Sequence, residues 1–97
     1  MKNNFKNVNN PLKAILTKYH LVEPYTENFI IKNWSDIIDK ALFDVIKPVS
    51  LKHKILELKI INFSWKTELE NRRETLCEKI NHKLDNYEIQ EIKFISE

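Results

Sequence analysis

Few side chains in this 97-residue chain could do chemistry, and their spacing points to contact rather than catalysis. His20, His53 and His82 show no metal-ligand spacing with one another or with Cys77, so no metal site is expected. The chain contains no glycine, which excludes a glycine-rich phosphate loop and with it a P-loop ATPase. No serine or cysteine lies in a nucleophile motif. The acids are dispersed, and Glu70, Glu74 and Glu78 recur four residues apart on one helix face, where like charges repel and belong in water. Neither an enzyme, a cofactor nor a small-molecule substrate is expected.

Lysines and two tryptophans remain. Residues 1–22 hold Lys2, Lys6, Lys13 and Lys18 and no acid, a net +4, whereas the rest of the chain sets twelve basic residues against fourteen acids, a net −2. Within that second part, Lys47, Lys52, Lys54, Lys59 and Lys66 face only Glu57 over positions 45–66. Such a zone either keeps a small domain soluble or contacts phosphates; as a phosphate surface it would be weak, sequence-blind and salt-sensitive. Lys47, Lys52, Lys54 and Lys66 are the candidate nucleic-acid contacts. Trp65 sits where a strand pattern gives way to a helical one, so its indole either packs in the core or stands half exposed as a partner anchor. Arg72 and Arg73 fall where that helix would take an apolar residue. One of them buries its stem with its head in water, or they join Trp65 as candidate partner contacts. Trp34 lies mid-stripe on an earlier helix and reads as core. Cys77, near Leu76 and Ile80, reads as a packing residue.

The elements that position these residues follow from periodicity. An apolar share of 42% is ordinary for a globular chain of one domain's length and too high for a disordered one. No apolar run approaches the roughly 18 residues that span a bilayer. The basic N-terminus has no apolar stretch behind it, so no secretory signal is expected. A single cysteine fits a reducing cytoplasm. Residues 1–9 are expected as a flexible polar tail, and 10–97 as a single domain. Asn10-Pro11 starts a helix whose face is Leu12, Ile15, Leu16 and Tyr19. Pro24 permits a second start, followed by a wide stripe of Phe29 or Ile30, Trp34, Ile37, Ile38, Ala41, Leu42 and Val45, which Pro48 ends.

A hairpin comes next. Val49, Leu51 and His53 form one alternating set and Leu56, Leu58 and Ile60 another. The turn near His53-Lys54 has neither Gly nor Asn, so a loose loop is expected. Ser64 is a candidate cap for a helix from Trp65 to about Asp85, with Leu69, Leu76, Ile80 and Leu84 inward and Asp85-Asn86 as its stop. Ile92 and Phe94 mark a last strand. Ile89 is out of phase with them, so that strand starts late or is bulged. The order α-α-β-β-α-β predicts a small two-layer α+β domain, its three-stranded sheet covered by helices on one face.

The ordered set of short motifs from about position 12 to 94 resembles the DciA family of bacterial replicative-helicase loaders. Trp34-Ser35-Asp36-Ile37-Ile38-Asp39 is similar to the family's Trp-x-x-Ile-Val-Gly, and Pro48 and Leu56-Glu57-Leu58-Lys59-Ile60 to its proline and strand. Asn62-Phe63-Ser64-Trp65-Lys66-Thr67-Glu68-Leu69 is similar to Ser-Ser-x-Trp-x-x-Glu-Leu, and Leu76-Cys77-Glu78-Lys79-Ile80-Asn81 to its Leu-x-x-x-Ile/Leu-Asn helix. Asp39 and Phe43 replace a glycine and a small residue, the mark of a divergent member. The resemblance implies a KH-like domain that binds the replicative helicase and assists its loading on single-stranded DNA, with ATP hydrolysis left to the helicase. It also implies that functions lodged in the extension many relatives carry are missing. Without a GXXG loop, nucleic acid would be held by side-chain charge. A stand-alone KH-like module for single-stranded DNA or RNA, and a protein–protein adaptor, are the alternative readings.

Overall fold

The computed structural model describes residues 11–84 and 87–96. The tail expected over 1–9, the Asn10 cap and the Asp85-Asn86 stop lie outside them. The chain forms α1 (Pro11–Lys18), α2 (Val22–Lys32) and α3 (Trp34–Ile37), then the strands β1 (Ile46–Lys52) and β2 (Ile55–Ile60). The helices α4 (Lys66–Asn71) and α5 (Arg73–His82) lead to β3 (Glu91–Ile95). The three strands lie in the order β1-β2-β3, the first pair antiparallel and the second parallel, so α4 and α5 form the crossover. This is a small α+β fold with a mixed sheet. α2 packs on β1 and α5 on β3. Ile46, Leu51, Leu56, Leu58, Ile60 and Ile92 from the sheet join Ile30, Trp34, Ile37, Leu69, Leu76 and Ile80 in one buried cluster.

The two long stripes are each broken into shorter helices. α2 stops at Asn33, whose side-chain Nδ2 and backbone N–H both donate to the Phe29 carbonyl, at 2.9 and 3.0 Å. After α3 the chain runs extended through Ile38 and Asp39, and a single 3₁₀ turn, Lys40–Leu42, follows. The stripe still reaches the core through Ile37, Ile38, Leu42 and Val45, whereas Ala41 is exposed. Asp39 has φ −60° and ψ 144°, a conformation open to any residue, so the missing glycine costs nothing there. The later helix breaks at Arg72, where α4 gives way to α5. Its cap is also displaced: the Asn62 carboxamide oxygen accepts from the Ser64 N–H at 3.1 Å and from the Ser64 hydroxyl at 2.6 Å, so Asn62 rather than Ser64 caps the junction. On α1 only Leu16 is buried; Leu12, Ile15 and Tyr19 are exposed.

Pro48 does not end a helix but lies inside β1, an edge strand, where its missing N–H is tolerated. The register shifts between Pro48 and Ser50, leaving Val49 as a bulge. Val49 and His53 are therefore exposed while Leu51 is buried, and the simple alternation expected for β1 does not hold. β3 starts late. Ile89 is buried ahead of it, its N–H donating to Asn81 Oδ1 at 2.7 Å and its carbonyl accepting from Asn81 Nδ2 at 2.8 Å.

The hairpin turn overturns the expected loose loop. Lys52 pairs with Ile55, so His53 and Lys54 alone make the turn, with φ of 54° and 65°. Positive φ at both positions is the tight primed turn that normally uses Asn-Gly. Neighbouring groups hold it there. The Lys54 N–H donates to Glu23 Oε2 at 3.1 Å, and the Lys54 carbonyl accepts from the Gln90 N–H at 2.9 Å. Glu23 also accepts from the Tyr87 hydroxyl. One turn further along α2, Glu27 accepts from the Leu51 N–H at 2.8 Å.

Two expectations follow. A side chain at positive φ costs about 1–2 kcal/mol, so Lys54→Gly should stabilise the fold by about 0.5–1 kcal/mol after glycine's own entropy. That predicts a rise of several degrees in melting temperature; no rise would argue against this turn. The second concerns acid. The hydrogen bond from Tyr87 holds the Glu23 carboxyl below its ordinary value of 4.5, burial opposing and the backbone N–H groups of Lys54 and His53 assisting. A lowered folded-state pKa stabilises above the unfolded value, and that stabilisation is lost as pH falls through the folded one. Denaturant titrations at about pH 7 and about pH 3 should show wild type losing more stability than Glu23→Gln. Equal losses would remove Glu23 from the acid response.

Candidate functional site

The lysines singled out by charge divide between the two ends of the hairpin. Lys47 and Lys52 lie on the sheet face turned away from the core, since their partners Lys59 and Ile55 alternate with the buried Leu56, Leu58 and Ile60. With the Val49 bulge between them, they span the four-residue interval from Lys59 to Ile55, roughly 13 Å. Lys54 is exposed in the turn beside Lys52, and Lys66 is exposed at the start of α4, past the far end of β2. The structure thus brings Lys52 and Lys54 together and leaves Lys66 at the opposite end, nearer Lys47. The Lys47 ammonium sits 3.5 Å from the centroid of the Phe43 ring, a cation–π contact made possible by the larger residue at 43.

β3 adds what sequence alone did not place. Its register sets Lys93 beside Glu57, on the same open face as Lys47 and Lys52. Alternation with Ile92 and Phe94 puts Lys93 opposite the core, but only the parallel pairing with β2 reveals which lysines it joins.

Trp65 is half-buried and packs against the core cluster. The side chains before it are more open: Ile61 is 50% exposed and Phe63 51%. Together they form an apolar knuckle at the junction of β2 and α4, held by the Asn62–Ser64 hydrogen bonds. Ile61 and Phe63 were missed as site residues; their signal is two apolar side chains continuing past a strand that ends at Ile60. The arginines divide. Arg72 is exposed, its Nε 2.7 Å from Glu68 Oε2 one turn back. Arg73 is half-buried, paired with Glu70, its guanidinium 5.7 Å from the Phe94 ring centroid. The helix break at Arg72 lets both heads leave the stripe. Trp34 is core: 3% exposed, with its indole N–H donating to the Ile46 carbonyl at 2.9 Å.

Elsewhere the chemistry is structural. The Cys77 Sγ lies 3.4 Å from the Ile89 carbonyl, and burial pushes its thiol pKa up, the opposite of an activated thiol. Among the described residues, no group of three or more His, Cys, Asp or Glu could hold a metal ion, and no helix is long and apolar enough to cross a membrane. A groove of about 340 Å³ between α3 and α5 has Ile37, Ile38, Leu76 and Ile80 among its walls, and the Lys79–Asp39 ion pair, 3.4 Å long, lies at its rim.

These features define a small α+β protein with a basic open sheet face and an apolar knuckle. The family model described as Dna[CI] antecedent, DciA, matches residues 7–94. The chain belongs to the DciA family, whose name ties it to replicative-helicase loading in DNA replication and which is not known as an enzyme family. No curated protein matches the chain, and no solved structure does.

The buried Trp34 and the exposed Phe63 should separate in stability. Trp34→Ala removes a buried indole and its hydrogen bond and should cost about 3–5 kcal/mol, enough to unfold much of so small a domain. Phe63→Ala should cost less than about 1 kcal/mol. Thermal melts followed by circular dichroism give both numbers, and a large loss in Phe63→Ala would place that ring in the core.

Proposed function

We propose that this protein is a non-enzymatic accessory of chromosome replication in the bacterial cytoplasm that binds the replicative helicase and assists its loading on single-stranded DNA. Family membership supports the helicase as partner. The observation that carries the docking site is the exposure of Ile61 and Phe63 beside the half-buried Trp65. An aromatic anchor flanked by open apolar side chains is what a protein interface uses at its centre. Arg72, exposed at the break between α4 and α5 and held by a surface ion pair, supplies a rim charge that can exchange Glu68 for a partner carboxylate. Arg73 contributes less, since Glu70 and Phe94 already occupy it. Binding to single-stranded DNA is weak and salt-sensitive, and draws on the hairpin lysines Lys47, Lys52 and Lys54, with Lys66 lying apart from them at the start of α4.

Purified helicase and an affinity measurement on folded variants test this. Ile61→Ala with Phe63→Ala should weaken capture by about 2 kcal/mol or more, roughly 30-fold, at wild-type melting temperature. Lys52→Glu with Lys54→Glu should leave capture nearly unchanged. Failure of the wild type to bind helicase would overturn the function; wild-type affinity in the knuckle variant would move the docking site.

A further inference from the structure

The open face of the sheet carries a lysine on every strand: Lys47 and Lys52 on β1, Lys59 on β2 and Lys93 on β3. Two acids, Glu57 and Glu91, share it, and Glu57 accepts a hydrogen bond from the Ser50 hydroxyl at 2.9 Å. Among the described residues neither Lys52 nor Lys93 is ion-paired. Between those two lysines lies a hollow of about 290 Å³, lined by Ser50, Lys52, His53, Ile55, Glu57 and Lys93. Ile55 offers it an apolar wall, and half-buried Ile95 lies beside Lys59 further along the face.

We propose that a single strand of DNA crosses this open face, its phosphates on Lys52 and Lys93 and one base seated against Ile55 in the hollow. The inference rests on the single-strand part of the proposed function and gives that contact a place. Charge complementarity selects a polyanion, since Lys52 and Lys93, neither ion-paired, flank the hollow and outnumber its one acid, Glu57. The apolar wall selects a single strand, because only unpaired bases expose a flat face to it while their backbone reaches the lysines. Lys93 thus joins the contact, and Lys66, beyond the end of β2, falls outside it.

Fluorescence anisotropy with a labelled oligo-dT 20-mer, across a salt series, tests the placement. Lys52→Glu with Lys93→Glu should weaken binding about tenfold or more and lower the log–log salt slope by roughly 1.4, two phosphate contacts at about 0.7 each. Lys52→Gln with Lys93→Gln adds no carboxylate beside Glu57, so it should show the same drop in slope with melting unchanged. Lys13→Glu with Lys18→Glu, an equal charge change on α1, should alter affinity less than about threefold, and a duplex of the same length should bind more weakly than the single strand. Wild-type slope in the Gln variant, or loss of binding only in the α1 variant, would overturn the placement alone. Duplex binding as tight as single-strand binding would remove the base seat. A wild type that captures helicase yet does not bind the 20-mer would overturn the single-strand contact itself.

Discussion

The Glu23 carboxylate, reaching from the first turn of α2 to the backbone of the β1–β2 turn, sets the geometry on which the other surfaces depend. A two-residue turn fixes the register of its hairpin, and a slip of one residue sends every side chain to the opposite face. Here the turn is made by His53 and Lys54, neither of which prefers positive φ. Local sequence does not supply that conformation, so tertiary contacts do. Glu23 takes the Lys54 N–H, the residues entering β3 bond its carbonyl, and Tyr87 donates to the same carboxylate. With that register held, Leu56, Leu58 and Ile60 enter the core, and Lys47, Lys52 and Lys59 are left together outside.

That dependence explains which parts of the fold could be seen in the sequence. Element type and inward-facing residues were legible where a stripe is long: Ile30, Trp34, Ile37, Leu69, Leu76 and Ile80 are all buried. Helix continuity was not. Asn33 ends α2 by taking its own helix's carbonyl, and periodicity does not register a side chain competing for the backbone. The turn was misjudged for a related reason: a residue-type rule describes local cost, and the offsetting contacts come from residues distant in sequence, Glu23 and Gln90. The bulge at Val49 has no local signal except Pro48 beside it.

The candidate surfaces were legible to different degrees. Counting charge found the hairpin lysines but could not tell one end of the hairpin from the other, nor bring in Lys93, because a parallel neighbour is set by the crossover rather than by adjacency in sequence. Trp65 was legible as a junction residue, while no periodicity marked its neighbours Ile61 and Phe63 as exposed. The two departures from the family pattern carry little structural cost. Asp39 lies in ordinary extended backbone and pairs with Lys79; Phe43 packs on the core and receives the Lys47 ammonium on its ring.

Charge pairing is uneven over the surface. On the helical layer, Arg72, Arg73 and Lys79 are tied to carboxylates a turn away or across a groove, while Lys32, Lys40 and Lys66 have no ion pair among the described residues. Surface pairs of that kind contribute little to stability, at most about 1 kcal/mol each. On the sheet layer, Lys52 and Lys93 are left to solvent, which raises the local attraction for phosphate without any sequence-specific contact. The apolar knuckle sits where the sheet layer hands over to the helical one, after β2 ends and before α4 begins. A partner seated there would lie beside one end of the open face, next to Lys47 and Lys66, without covering the turn end where Lys52 and Lys93 flank their hollow. Protein and single strand can therefore be held at once, and simultaneous contact is what placing one upon the other requires.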